Sequence, residues 1–294
     1  MSRGRIQYGF GVFCGSLLLS WGFFLLSFCR KARFFHPSGV VYSAMAWPAS
    51  SLSSVASVEV AERLSGAALV RFSGGLFKQK GKRVKRDSLG LGVRFYGQPG
   101  PCQTNARGGQ DLFLVSFHSF AAIARDIKAT DCGDYLANTY WSITPYEVEG
   151  LGRVSLRITA SGSGEGTARN ERLEDAVRAG EVSLRLEMAP WGTDDYQPLA
   201  ELRLDRRMDL EDELRLTPRA SGGGLRPTGF LQGLRVAPYA ASHLARRLRR
   251  ETPRRASTPD TWISIPDLSA NRRRDVNASA DLSSGGKRQE KVLA

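Results

Sequence analysis

The sequence predicts an α+β fold for residues 31–250. Short runs in which apolar and polar residues alternate recur along this stretch, the pattern of strands that bury one face. One long stretch near its end, residues 231–250 (LQGLRVAPYAASHLARRLRR), is made instead of strong helix formers. A composition of 41% hydrophobic and 24% charged residues is that of a globular protein. A chain of 294 residues has room for one large domain or two small ones.

Residues 1–30 form an apolar N-terminal segment. Tyr8–Cys29 is uncharged and rich in Phe, Leu and Gly, about as long as a membrane-spanning helix requires. Arg3 and Arg5 precede it, and Arg30, Lys31 and Arg33 follow, so the flanks leave the orientation open. Three readings stand side by side: a membrane anchor, an export signal, or an apolar arm packed on the domain.

Strands are expected at Val40–Trp47, Ala67–Ser73, Asp111–Phe117, Tyr135–Pro145, Val148–Ile158, Glu181–Met188 and Leu199–Leu204. Helices are expected at Ile123–Lys128 and Asn170–Gly180, and a third beginning near Val236, since Pro238 suits a first helical turn. Gly162, Gly164 and Gly166 lack phosphate-loop spacing and read as a loop. Asp205–Glu213 is acidic and reads as a solvated connection. Residues 251–294 are dominated by Pro, Ser, Arg, Asn and Asp, with one apolar patch at Trp262–Ile265, and read as a mostly disordered tail.

A net charge of +13 suits anionic partners. Nucleic acid is not favoured, because the basic runs Lys78–Arg86 and Arg272–Arg274 read as solvated charge. The cysteines Cys14, Cys29, Cys102 and Cys132 show no paired spacing, which argues against a zinc site and a disulfide framework.

Three places carry candidate chemistry. On a helix, Arg235, Tyr239 and Arg246 share one face, and a phenol between guanidiniums favours its anion, a hard ligand for ferric iron. In Arg33-Phe34-Phe35-His36-Pro37-Ser38-Gly39 the aromatics desolvate the imidazole and favour its neutral form, which can accept a proton. In Val70-Arg71-Phe72-Ser73 an arginine inside an apolar strand needs a partner, because an unpaired buried charge is costly.

These stretches, in this order, resemble the haem-dependent catalase superfamily. Arg33, His36 and Gly39 match its distal Arg-x-x-His-x-x-Gly motif. Val70–Ser73 matches its Val-Arg-Phe-Ser strand, and Arg86–Tyr96 is similar to its Arg-Asp-Pro-Arg-Gly-Phe-Ala-Val-Lys-Phe-Tyr block. Arg235, Tyr239 and Arg246 match its haem-tyrosine helix. Val115 stands where the family has a distal Asn, and Pro238 precedes the tyrosine where the family tends to have Pro after it.

The resemblance implies an antiparallel β-barrel with flanking helices and a b-type haem. It casts Tyr239, steadied by Arg235, as the iron ligand. Arg33, Arg71 and Arg246 would neutralise the propionates. His36, oriented by Ser73, would move a proton from one peroxide oxygen to the other. The implied substrate is peroxide or an organic hydroperoxide. Without the distal Asn, peroxidase-type or weak catalase turnover is expected. Two alternatives remain: rearrangement of lipid hydroperoxides, and a non-catalytic haem-binding or membrane-associated module. Membrane association or export is expected, with the cytoplasm left open.

Overall fold

The computed structural model describes residues 3–16, 38–52, 54–75, 86–97, 101–103, 109–211, 214–248 and 262–264. Its centre is a closed antiparallel barrel. The strands are β1 (Gly39–Pro48), β2 (Gly66–Gly74), β3 (Leu89–Phe95), β4 (Pro101–Gln103), β5 (Gln110–Val115), β6 (Thr139–Trp141), β7 (Tyr146–Val148), β8 (Gly152–Ser161), β9 (Ser183–Pro190), β10 (Gln197–Met208), β11 (Arg226–Pro227) and β12 (Trp262–Ser264). The barrel runs β8-β6-β5-β3-β2-β1-β10-β9, and β9 pairs back onto β8 to close it. Strands β7 and β11 extend one side, and β4 pairs with β12 apart from the barrel. The expected α+β barrel with flanking helices is thus observed.

Alternation explains the closure. Val40, Tyr42, Ala44 and Ala46 of β1 join the interior cluster with Ala68, Val70 and Phe72 of β2 and Leu91, Val93 and Phe95 of β3. The alanines leave room for larger facing rings, as small barrels require. Phe72 packs on Tyr135 and Tyr140, with ring centroids 5.2 and 6.4 Å away.

Helix α1 is Arg3–Cys14, α2 Val55–Leu64, α3 Ile123–Ala129, α4 Arg169–Ala179 and α5 Phe230–Leu248. Ser54 caps α2, its hydroxyl accepting from the Ser57 amide. Gly180 ends α4 in the left-handed conformation at φ 75°. Helix α2 bridges β1 and β2, and α4 bridges β8 and β9. Each sends apolar residues into the interior cluster: Val60, Ala61 and Leu64 from α2, and Leu173, Ala176 and Val177 from α4.

Several expected bounds shift. The run Tyr135–Pro145 is mostly turn, with only Thr139–Trp141 in the sheet, because the Tyr140 hydroxyl bonds back to the Tyr135 carbonyl at 2.8 Å. Val148–Ile158 splits at the turn through Gly150 (φ 80°) into β7 and β8. Helix α5 starts at Phe230, not near Val236, so Pro238 lies inside it. Most of the tail and of the Lys78–Arg86 run lies outside the described residues.

Candidate functional site

The outward faces of β2, β3 and β5 carry three cross-strand rows. One joins Gly39, Ser73, Gly90 and Val115; the next joins Val41, Arg71, Gly92 and Phe113; the third joins Ser43, Leu69, Arg94 and Asp111. Side chains alternate across a strand, so all three rows project from the same side of the sheet. Gly90 and Gly92 leave a furrow between β2 and β5. Leu216 lies over Gly92, so closely that a Cβ there would collide with its side chain. Leu210, Leu214 and Leu216 form a second apolar cluster here with Val41, Ala67 and Leu69.

Helix α5 covers the β5 end of this face. The Tyr239 ring meets Phe113 edge to face, centroids 5.3 Å apart at 78°. The Arg235 guanidinium stands 5.3 Å from the Phe113 centroid and 5.7 Å from that of Tyr239. It also donates to the Gln232 side-chain oxygen at 3.4 Å. Tyr239 and Arg235 are therefore neighbours against the outward sheet face, on the same side as Arg71 and Ser73.

The remaining expected site residues are unevenly placed. Arg71 is buried, and its guanidinium is bound at two points by Glu211, with Nε to Oε2 at 2.8 Å. The acidic stretch that reads as solvated therefore supplies a partner for a buried cation. Its neighbour Leu210 is buried as well. Ser73 donates its hydroxyl to the Gly90 carbonyl at 3.2 Å. Arg33 and His36 lie outside the described residues, as does the side chain of Arg246. Gly39, three residues after His36 in the sequence, pairs with Ser73. Val115 lies in that same cross-strand row, through Gly90.

Two features escape a reading of the sequence. Arg94 and Asp111 form a two-point ion pair at 2.6 and 2.6 Å, with side chains 1% and 0% exposed. The Arg215 carbonyl accepts from Arg94, and the Thr217 amide donates to Asp111 at 2.7 Å. Burial pushes the Asp111 carboxyl up, and Arg94 and the Thr217 amide oppose that shift. The rule that singles out Arg71, an arginine within an apolar strand, singles out Arg94 equally. The other feature is Tyr146, fully buried beneath α5. Burial raises its pKa, and the nearby Arg235 charge pulls it back.

A Tyr-ligated haem needs a phenolate on one face and cations for its propionates. In kind these residues fit: a phenol beside a guanidinium on one wall, and a buried guanidinium and a hydroxyl on the other. In space the walls touch. A flat macrocycle between two rings needs roughly 3.5 Å of clearance on each face. The edge-to-face contact of Phe113 with Tyr239 leaves none. Among the described residues no cluster of His, Cys, Asp and Glu could hold a metal ion.

No protein-family model matches the chain, and no curated protein matches it. Among solved structures it is similar to a fungal catalase, with a TM-score of 0.47 and 12% identity over 78% of this chain. The match spans 63% of that catalase. The similarity is one of backbone course and assigns no residue a role.

Proposed function

We propose that the chain is a haem-dependent, peroxide-consuming protein. The observation that carries this is the packing of Tyr239 and Arg235 against the sheet face that also bears Arg71 and Ser73. Tyr239 would hold the iron through its phenolate oxygen, with the Arg235 guanidinium beside its ring. Arg33, Arg71 and Arg246 would be the cations for the propionates. A bound haem would supply redox chemistry and an open position for peroxide.

The chain's own part is proton handling and exclusion of water. His36 would take the proton from one peroxide oxygen and return it to the other, with Ser73 steadying the imidazole. Val115 offers no amide there, and with Leu214 and Leu216 it makes the face apolar. Slow turnover of hydrogen peroxide and better use of organic hydroperoxides follow. A haem would have to displace the Phe113–Tyr239 contact, and its propionate would have to take the place of Glu211 on Arg71.

A second reading is favoured by the closed packing itself. With Tyr239 on Phe113 and Glu211 on Arg71, the barrel could serve as a non-catalytic module. Turnover separates the two. Haem-supplemented protein should oxidise a peroxidase dye with hydrogen peroxide or a fatty-acid hydroperoxide, and His36→Ala should keep the haem and lose ~10²–10⁴ in rate. Equal rates in wild type and His36→Ala would reject His36 as the base.

A further inference from the structure

Helices α1 and α5 lie against each other through glycines. A Cβ on Gly11 would run into the Phe230 carbonyl, one on Gly15 into the Leu234 carbonyl, and one on Gly233 into the Tyr8 carbonyl. Such close backbone approach, with small residues four apart, is the packing that helices use where water does not drive association. The outer side of the pair is apolar. Ile6, Phe10 and Phe13 follow a helical stripe and are 61%, 61% and 60% exposed, and Phe230 and Leu231 continue it from α5. Phe10 and Phe230 touch, centroids 5.9 Å apart, so the two stripes form one patch. Solvent-facing aromatic and aliphatic groups gathered in this way mark an interaction surface.

Charge selects the occupant. Neither α1 nor α5 contains a carboxylate. Arg5 is exposed beside Ile6, and the Arg153 guanidinium lies close to Gly4 and Gly229. Arg219 is near enough to Tyr8 to oppose the burial that raises its phenol pKa. The Glu149 carboxylate is paired at 3.7 Å with Arg226, on the strand that leads into α5. A second copy meeting this face about a two-fold axis would bring like cations together. An anionic lipid surface would neutralise them. In sequence, the uncharged run that starts on α1 continues to Cys29. Among the described residues no helix is long and apolar enough to cross a membrane.

We propose that the α1/α5 face docks on a membrane with anionic headgroups, its Phe10, Phe13 and Ile6 side chains entering the acyl boundary and the surrounding arginines meeting the phosphates. The full-length protein, sedimented with vesicles, tests this. It should partition onto phosphatidylcholine vesicles containing phosphatidylglycerol, more weakly onto phosphatidylcholine alone, and less as salt rises. Phe10→Ser with Phe13→Ser should lower partition about tenfold or more at an unchanged melting temperature. Ile6→Ser with Phe13→Ser, which spares the Phe10–Phe230 contact, should do the same. Arg5→Glu should weaken binding and its salt dependence. Partition equal to wild type in both double variants would overturn the proposal. So would a lipid-free dimer in sedimentation velocity that the same substitutions split, since the patch would then be a contact between copies.

Discussion

At the Arg94–Asp111 pair, two opposite charges sit where water does not reach, and each satisfies the other. Removing one partner leaves the other charge buried without its counter-charge. Asp111→Asn should therefore destabilise the fold by about 3–5 kcal/mol, read from urea or guanidinium unfolding. A loss below about 1 kcal/mol would mean that the Arg215 carbonyl and solvent already satisfy Arg94. Tyr42 presents a different case. Its hydroxyl is buried with no hydrogen-bond partner among the described residues, and burial, helped by Glu174, pushes its pKa up to about 12 from 10.0. The unfolded chain then releases this proton first. The stability contribution is whole below pH 10.0 and is lost as pH rises toward about 12. Tyr42→Phe should be neutral to stabilising at neutral pH and should reduce the alkaline loss by at most about 1.4 kcal/mol per pH unit. Unfolding midpoints that fall equally in both proteins above pH 10.0 would contradict this. The candidate site is partly legible at this scale. Arg71, Ser73, Arg235 and Tyr239 stand out by residue type and spacing. Glu211 does not, because an acidic stretch looks alike whether it is solvated or folded back onto a buried cation.

Among the elements, the strands with clean alternation are the ones the sequence makes visible. Strand β9 is expected from Val182, Leu184, Leu186 and Met188, and is found within a residue or two. Strand β3 is not legible as a strand, because Gly90 and Gly92 interrupt its pattern on the outward side, and only the resemblance of its residues marks it. The start of α5 is misjudged for a local reason. Pro238 looks like a first-turn residue, yet inside the helix it removes the donor for the Leu234 carbonyl. That carbonyl faces the backbone of α1 at Gly15, so the break falls where the two helices meet. The N-terminal segment, open between anchor, signal and packed arm, has its first turns packed on α5. Gly233→Ala should force the pair apart, because a methyl there would collide with the Tyr8 carbonyl and press on the Val12 backbone nitrogen. Hydrogen exchange along α1 should quicken in this variant while the barrel strands keep their protection. Unchanged exchange in α1 would show that the helices can shift without parting.

On the scale of the whole molecule, the barrel brings together segments far apart in sequence. β2, β3 and β5 supply one wall and α5, more than a hundred residues later, the other. Closure itself was not legible from alternation, since a period of two marks strands but not their partners. It entered with the family resemblance, and the β8–β9 pairing bears it out. The cofactor is a separate matter, because the walls as packed are in contact and a haem would have to part them. The most direct measurement is a titration of the full-length protein with ferric haem, followed by absorption spectroscopy and thermal unfolding. The expected result is uptake of one haem per chain with a tyrosinate-type ferric spectrum, a raised melting temperature, and loss of that spectrum in Tyr239→Phe. No saturable uptake, or a spectrum identical in wild type and Tyr239→Phe, would contradict it.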